Sequence, residues 1–569
     1  MKLTGAEIVV NTLIEQGVTD VFGYPGGQVL NIYDALYKYS DKINHILAAH
    51  EQGAAHAADG YSRVTGKVGV VIATSGPGAT NLVTGIATAM LDSVPMVAIT
   101  GNVPCSLIGK DSFQEIDITG ITLPITKHNF FVNDISELAD SIRTAFKIAK
   151  SGRPGPVLVD IPKDIQIAEY DFEPIGIVEK FPVPKAEVSE IDEAVRLINE
   201  SERPYIYVGG GAIGAGLSEE ILELAERIDG YIGCTFMGIS AVPNDVSAFG
   251  GENTRANERF LGMQGMHGRY ASSMAQKDAD LILAVGVRFS DRATGNVSKY
   301  AKNAKIIQLD PDNTEINKNV NVTLGIVADI ADAFKRILAA VEKGDRPEWR
   351  DTVGKYKAEE LRLENELEAA AGAALTPKKV LDTVNELKPP RTVIATDVGQ
   401  HQMWTAQYAR FDTVRRFVSS GGLGTMGFGL GAAIGACVGS GDTTVLVTGD
   451  GSFGMNLNEL ATAVSFNVPV IIIVVNNGVL GMVRQWQTLF YGKRYSSTVL
   501  GRQTDFVKLA DAFGAVGMRA STSEEFAAAF AKALTLKRPV VIDTLIDKDE
   551  FVLPMLPPGG SIDDIIVSK

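Results

Sequence analysis

Thr444-Val445-Leu446-Val447-Thr448-Gly449-Asp450-Gly451-Ser452 carries an apolar, β-branched run straight into an aspartate flanked by glycines. A second apolar run, Val468 to Val475, ends at Asn476-Asn477, so that Asn477 stands 27 positions after Asp450. That interval holds a strand end, a helix expected from near Asn456, and a return strand. It brings Asp450 and Asn477 together at the C-terminal edge of adjacent parallel strands, the edge at which open α/β sheets bind ligands. Mg²⁺ prefers hard oxygen ligands and is commonly held by one or two protein oxygens together with phosphates. A carboxylate and an amide oxygen meet that need. Gly449 and Gly451 let backbone amides approach a diphosphate, and the N-terminus of the following helix adds a favourable dipole. A Gly-Asp-Gly turn alone is as well explained by an ordinary strand turn; the Asn pair at this spacing favours the metal and diphosphate reading.

Outward from this stretch the same alternation recurs. Upstream strands are expected at Thr392 to Thr396 and downstream at Val540 to Ile546. Residues 1 to about 170 alternate apolar runs (Val68 to Ala73, Met96 to Thr100) with helical stretches (Asp134 to Ala149), which is βα repetition around a parallel sheet. Pro174, Pro182 and Pro184 among charged residues mark residues 171–190 as an exposed connector. Tyr205 to Val208, Leu281 to Val285 and Lys305 to Leu309 are expected strands of a second set, with a helix over Glu219 to Ile228. Lys355 to Ala374 is charged and alanine-rich and reads as a solvated helix or linker. The prediction is an α/β protein of three doubly wound parallel-sheet domains, 1–170, 190–345 and 375–569, the last with a C-terminal tail wrapping a surface.

A chain of 569 residues exceeds what one hydrophobic core supports, and 58 glycines suit a fold rich in tight strand-to-helix turns. The formal net charge of −15 argues against wide contact with nucleic acid. Cys105, Cys234 and Cys437 lie far apart with no CxxC pair, which excludes a disulfide framework and fits a reducing cytoplasm. Val468 to Val475 is about eight residues long against the roughly 20 of a bilayer span, so a buried parallel strand is expected and no membrane segment. The N-terminus is read as running directly into a helix over Ala6 to Gln16, with no targeting segment before it.

Glu51, in His50-Glu51-Gln52-Gly53-Ala54-Ala55, opens a helix after a strand. On chemistry alone the favoured reading is a first-turn glutamate complementing the helix dipole. Val208 is followed by Gly209-Gly210-Gly211-Ala212-Ile213-Gly214, a GxGxxG pattern with Asp229 beyond it, which by itself is a weak dinucleotide signal.

GDGS followed at this spacing by Asn-Asn resembles the thiamine diphosphate (ThDP) motif of the ThDP-dependent decarboxylases and carboligases. The resemblance implies that Asp450 and Asn477 bind Mg²⁺ with the Val479 carbonyl as third ligand, and that Gly449, Gly451 and Ser452 hold the diphosphate. Several stretches narrow it to the acetohydroxyacid synthases, and the likeness spans nearly the whole chain. His50 to Gly60 together with Ser75-Gly76-Pro77-Gly78-Ala79-Thr80-Asn81 is similar to their pyrimidine-binding domain, with Gly27, Gly76 and Asn81 at the cofactor. There Glu51 becomes the acid at N1′ of the pyrimidine, which induces the imino tautomer that removes the C2 proton; glyoxylate carboligases lack it. Val398-Gly399-Gln400-His401 resembles the ThDP-contacting loop. Ser420 to Gly427 would place Met426 beneath the bent cofactor and the Gly424 carbonyl at its aminopyrimidine.

Gly481-Met482-Val483-Arg484-Gln485-Trp486-Gln487 is the segment most characteristic of the biosynthetic enzymes. By resemblance Met482 and Trp486 line the acceptor pocket, with Trp486 favouring 2-ketobutyrate over pyruvate; otherwise a Met and a Trp at helical spacing read as core. Phe113, Gln114 and Lys163 lie in family-like catalytic segments, and Arg292 would clamp the acceptor's carboxylate, a task that suits a planar guanidinium. For the glycine-rich turn the resemblance offers FAD in a structural role: Gly209, Gly210, Met266, His267, Gly286 and Arg288 would contact it, with Asp310 and Asp329 towards the adenosine end. Catabolic acetolactate synthases lack this flavin. Ser290 stands where an acid is usual, Gln28 where a small residue is common and Gly431 where proline is usual, and Asn244 to Phe260 is longer than typical.

The expected reaction is decarboxylation of pyruvate with transfer of the hydroxyethyl group to pyruvate or 2-ketobutyrate, giving 2-acetolactate or 2-aceto-2-hydroxybutyrate in branched-chain amino-acid biosynthesis. A homodimer or homotetramer is implied, with a separate small regulatory subunit. The rival enzymes are a pyruvate oxidase or decarboxylase relative and a catabolic acetolactate synthase; the rival of another class is a non-catalytic cofactor-binding assembly partner.

Overall fold

The structure, a computed structural model, describes residues 1–245, 258–501 and 504–568. Most of the long Asn244 to Phe260 stretch falls outside the described residues.

Runs of Val, Ile and Leu build three six-stranded sheets in which every pairing is parallel. Such sheets are covered by helices on both faces, so their central strands are apolar throughout rather than alternating. The first holds β2 (Asp20–Tyr24), β3 (Asn44–Leu47), β4 (Gly69–Ala73), β5 (Met96–Asn102), β6 (His128–Phe131) and β7 (Pro156–Pro162). Its spatial order is β3-β2-β4-β5-β7-β6. The second holds β9 (Pro204–Val208), β10 (Tyr231–Cys234), β11 (Phe260–Met263), β12 (Leu281–Val285), β13 (Lys305–Asp310) and β14 (Leu324–Val327), in the order β11-β10-β9-β12-β13-β14. The third holds β15 (Val393–Thr396), β16 (Phe417–Val418), β17 (Thr444–Gly449), β18 (Val470–Asn476), β19 (Val516–Ala520) and β20 (Val540–Leu545), in the order β16-β15-β17-β18-β20-β19. The first and third sheets therefore share one winding, whereas the middle sheet has the 3-2-1-4-5-6 order of dinucleotide-binding folds. A short antiparallel pair, β1 (Lys2–Thr4) with β8 (Glu169–Asp171), ties the two ends of the first block together.

Each sheet has a crevice where the winding reverses, and the glycine-rich turns stand beside it. In the first sheet it lies between β2 and β4, followed by Pro25-Gly26-Gly27 and Thr74-Ser75-Gly76; in the second between β9 and β12, followed by Gly209 and Gly286; in the third between β15 and β17, followed by Val398-Gly399-Gln400 and Gly449-Asp450.

The first and third blocks pack through two helices, Glu51–Thr65 and Phe428–Ser440. Gly431, Gly435 and Gly439, four residues apart on one helical face, meet Gly53, Ala57 and Tyr61, spaced the same way. A Cβ on Gly435 would lie 1.8 Å from the Ala57 carbonyl oxygen, and one on Gly60 2.0 Å from that of Ala432. Only glycine permits this backbone contact. Gly431, where proline is usual, lies in it: its Cβ would stand 2.6 Å from the Gly53 oxygen.

Lys355 to Ala374 is the larger part of a 25-residue helix, Pro347–Ala371, anchored by buried Trp349 and Val353. Residues 172–187 form the connector without regular structure. The helix expected from near Asn456 begins instead at Asp450 and runs to Asn456, with a second over Glu459–Ser465. Gly449 is its N-cap, so the aspartate sits in the first helical turn, where a negative charge is favoured.

Candidate functional site

The residues singled out fall into three clusters. The first is at the tips of β17 and β18, which pair directly from Thr444↔Val470 to Gly449↔Val475. Asp450 and Asn477 meet there: the Asp450 carboxylate accepts the Gly478 N–H at 3.0 Å. Burial pushes that carboxyl up to about 6, an environment that an added cation would relieve. Asn477 Oδ1 accepts the Val479 N–H at 3.1 Å across a turn in which Gly478 has φ +70°. Its Nδ2 points towards Gln400 Oε1 at 3.4 Å, so Gln400 turns the amide oxygen away from itself. Ser452 Oγ donates to the Val398 carbonyl at 2.6 Å. His401 lies under both turns, since Cβ atoms on Gly399 and Gly449 would come within 2.9 and 2.8 Å of its ring. Burial pushes it down to about 3, so it is neutral. Met426 Cε stands 3.9 Å from where a Cβ on Gly451 would be, and Gly424, at φ +69°, turns the chain two residues before it.

The second cluster surrounds Glu51 at the head of the Glu51–Thr65 helix, whose N-cap is His50. Asn81 Nδ2 donates to Glu51 Oε2 at 2.9 Å, and a Cβ on Gly78 would lie 3.2 Å from Oε1. Gly76, at φ +59°, abuts Gln114, itself at φ +63°. Lys163 Nζ donates to the Gly27 carbonyl at 3.2 Å. Phe113 is 85% exposed, a large aromatic offered to solvent in the isolated chain.

The third cluster lies at the crevice of the middle sheet. Cβ atoms on Gly209 and Gly211 would fall 2.1 Å from the Gly286 oxygen and 2.6 Å from its Cα, with Gly286 at φ +61°. Gly210 opens a six-residue helix. Met266 and His267 follow Gly265, which has φ +114°, and Arg292 Nη1 reaches Met266 Sδ at 3.4 Å. Asp310 accepts the Asp312 N–H at 2.9 Å, and burial pushes it up to about 6. Asp329 is spent as the N-cap of the Ile330–Ala340 helix. Asp229, beyond the GxGxxG turn, is likewise committed, to Arg259 and Arg350 and to the Arg346 N–H, which removes the acid that a nicotinamide dinucleotide fingerprint requires.

These surroundings fit the cofactors. Among the described residues no group of three or more His, Cys, Asp and Glu could hold a metal. One carboxylate, one amide and one carbonyl are a Mg²⁺ set that phosphate oxygens complete. His401 Nε2 at the diphosphate crevice and His267 Nδ1 beside the middle one are buried polar atoms without hydrogen-bond partners. Such atoms are expected where a polar ligand binds.

Met482 and Trp486 are on the helix Gly481–Phe490, where the Trp486 and Phe490 rings meet edge to face at 5.7 Å. Sequence reading passed over Gln485 between them. It is 1% exposed, accepts from Gln400 Nε2 at 2.9 Å, and holds Val552 of the C-terminal tail. It also passed over Glu459, whose carboxylate accepts the Ala49 and His50 N–H groups at 3.1 and 2.9 Å and so ties the third block to the head of the Glu51 helix. No local pattern announces either; both act on partners tens to hundreds of residues away.

Comparison with known proteins agrees with this geometry. Residues 3–121 match the thiamine pyrophosphate enzyme N-terminal TPP binding domain, 191–337 the central domain and 397–544 the C-terminal TPP binding domain. The chain is thus a member of the thiamine pyrophosphate (that is, thiamine diphosphate) enzymes. It is 45% identical to an acetolactate synthase large subunit of Corynebacterium glutamicum (99% of this chain, 90% of the relative) and 42% identical to that of Haemophilus influenzae (100% and 99%). It is also 42% identical to the isozyme 3 large subunit of Escherichia coli (100% and 99%). Within the thiamine pyrophosphate enzymes it belongs to the acetolactate synthase large subunits. None of the described helices is long and apolar enough to cross a membrane.

Proposed function

We propose that this chain is the catalytic subunit of an acetohydroxyacid synthase, using ThDP, Mg²⁺ and FAD. It would decarboxylate pyruvate and transfer the hydroxyethyl group to pyruvate or 2-ketobutyrate, yielding 2-acetolactate or 2-aceto-2-hydroxybutyrate. The observation that carries the reading is the meeting of Asp450 and Asn477 at the tips of neighbouring strands beside the Gly449–Gly451 turn.

When bound, ThDP supplies the carbon nucleophile that takes a two-carbon unit from the first ketoacid. The chain's own residues do the rest. Asp450, Asn477 and the Val479 carbonyl hold Mg²⁺; Gly449, Gly451, Ser452, Gln400 and His401 receive the diphosphate. Glu51, oriented by Asn81, holds a proton at the pyrimidine ring. Gly424 and Met426 would back the cofactor, while Phe113, Gln114, Lys163, Met482, Trp486 and Arg292 would surround the ketoacids. Gly209, Gly210, Met266, His267, Gly286 and Arg288 take the flavin. We assign residues 1–170 to pyrimidine binding, 190–345 to flavin binding and 375–569 to diphosphate binding.

Glu51 makes its hydrogen bond to Asn81 and Asp450 makes its own to Gly478, in different blocks. We take the active unit as a homodimer or homotetramer in which one chain's Glu51 serves another's Asp450, joined by a small regulatory subunit. The free thiols of buried Cys234 and Cys437 favour the cytoplasm. The test is an assay of pyruvate with all three cofactors. Acetolactate is expected, and Glu51→Gln should lower its formation at least 10-fold without unfolding the protein; acetyl phosphate or acetaldehyde as product would overturn the reading.

A further inference from the structure

The segment Ser420 to Gly427 joins β16 to the Phe428–Ser440 helix and carries Gly424 and Met426. It is where all three blocks meet, and it has no strand or helix of its own to hold it. Apart from the Thr425 N–H, which donates to Ser420 Oγ at 3.0 Å, its ties are side chains from elsewhere. Gly427 N–H donates to Asp397 Oδ1 at 2.8 Å, and Gln402 Nε2 donates to the Ser420 carbonyl at 3.0 Å, both within the third block. From the first block, the Thr88 and Thr425 hydroxyls meet at 2.7 Å. The strongest tie also comes from there. Asp92 accepts the N–H groups of two successive residues, Gly421 to Oδ2 at 3.0 Å and Gly422 to Oδ1 at 2.7 Å.

Asp92 is fixed in turn. Arg63 Nη2 donates to it at 2.8 Å, Arg63 Nε pairs with Asp59, and the side chains of both aspartates are wholly buried. The Arg63 guanidinium also lies 5.4 Å from the Phe428 ring centroid, one residue past the segment. The Asp92 carboxyl thus holds Arg63 on one side and the two loop amides on the other. Both donors are crowded: a Cβ on Gly422 would stand 2.9 Å from Asp92 Oδ1, and one on Gly421 2.6 Å from Met237 Sδ in the middle block. Asp92 itself ends the helix Val83–Asp92, the end where the helix dipole disfavours an acid, so the helix gains nothing from it.

We propose that Asp92 is a positioning residue for the reaction: from the first block it sets the register of the Ser420–Gly427 segment and thereby the placement of Gly424 and Met426 against the cofactor. This rests on the functional reading above. Asp59 serves as the internal control, because it braces Arg63 and touches none of the loop.

The experiment uses the holoenzyme with ThDP, Mg²⁺ and FAD and compares Asp92→Asn, Asp59→Asn and Thr88→Val. For each, kcat, KM for pyruvate, Tm, flavin absorbance and the near-ultraviolet circular dichroism of bound ThDP are measured. Asp92→Asn keeps the shape but turns an NH₂ towards a loop N–H. It is expected to lower kcat at least 10-fold and to alter the dichroism, with flavin content unchanged. Asp59→Asn is expected to lower Tm while keeping kcat within about twofold. Thr88→Val, the milder substitution that serves if Asp92→Asn does not fold, should lower kcat several-fold with the same dichroic change. Wild-type activity with kcat and Tm falling in parallel in all variants, or with unchanged kcat in Asp92→Asn and Thr88→Val, overturns this inference alone. A wild-type protein that makes no acetolactate overturns the functional reading first.

Discussion

Gln485 and Val552 exchange two hydrogen bonds, Gln485 Nε2 to the Val552 carbonyl at 3.0 Å and Val552 N–H to Gln485 Oε1 at 2.9 Å. One side chain thereby docks the C-terminal tail as a strand would, onto the helix that carries Met482 and Trp486. The tail continues to the middle block, where Leu556 N–H donates to the Met266 carbonyl at 2.8 Å and Asn296 N–H to the Gly560 carbonyl at 3.0 Å. Truncation by Gln485→Ala would leave a buried N–H and C=O unpaired, a loss of about 3 kcal/mol. The tail should then become cleavable by protease and turnover should drop roughly 10-fold by the same positioning argument. A variant with a protected tail and native turnover would contradict the docking role.

Replacing Asp450 with Ala removes the only carboxylate of the proposed metal set. ThDP affinity, read by titration calorimetry with Mg²⁺, should weaken by on the order of 100-fold, as loss of a metal contact does. Flavin absorbance should stay constant, because the Gly209–Gly286 crevice belongs to a different sheet. Loss of flavin together with ThDP would instead indicate global unfolding.

If each site draws Glu51 and Asp450 from different chains, Glu51→Gln and Asp450→Ala proteins, each inactive alone, should complement when dissociated and reassembled together. Random pairing gives half mixed dimers with one intact site apiece, hence about a quarter of wild-type activity. Mixtures no better than the separate variants would show that one chain supplies both groups.

His56 sits beneath the crossing of the Glu51–Thr65 and Phe428–Ser440 helices, its ring centroid 5.1 Å from that of Phe428. Burial, helped by nearby Arg63, pushes it down to about 3, and burial pushes His45 down to about 4. An unfolded histidine titrates near 6.5, so between that value and the lowered ones the unfolded chain binds more protons than the folded one. The stability these neutral rings contribute is therefore complete above about pH 6.5 and is lost as pH falls towards 4, roughly 2 kcal/mol per residue by pH 5. Proton NMR titration of the two imidazoles between pH 7.5 and 5.0 checks the premise directly, without the opposing contribution of buried carboxyls such as Asp450 and Asp310; rings that protonate near 6.5 in the folded protein would refute the assignment.

At the helix crossing, Gly435→Ala should cost several kcal/mol and Tm by 5 °C or more, since the new methyl meets backbone that cannot give way. Gly354→Ala, in the long helix Pro347–Ala371 with nothing near its Cβ direction, should stabilise by about 0.5–1 kcal/mol. Differential scanning calorimetry of the two variants decides between a packing and a propensity account of these glycines.

Much of this protein was legible without coordinates. Apolar runs ending in glycine declare buried parallel strands because a strand covered on both faces has no polar side to alternate with, and Asp450 to Asn477 spans one βα unit because strand, helix and return need that many residues. The ends of the expected strands fall within a few residues of the observed ones, and the one misplaced element, the helix starting at Asp450 rather than near Asn456, reflects a glycine that caps a helix as readily as it extends a loop. What the sequence could not contain were relations between residues far apart in it. Winding order, which makes the first and third sheets alike and sets the middle one apart, depends on which strands pair. Asp229 offers the same carboxylate to a ribose as to arginines, and only the fold reveals that arginines hold it. Asp92, Glu459 and Gln485 carry no motif, because their roles consist of backbone amides and carbonyls that every residue possesses. The sequence by itself determined the local chemistry, which is a property of side chains and their spacing. Tertiary structure alone decided which anonymous backbone groups those side chains would hold.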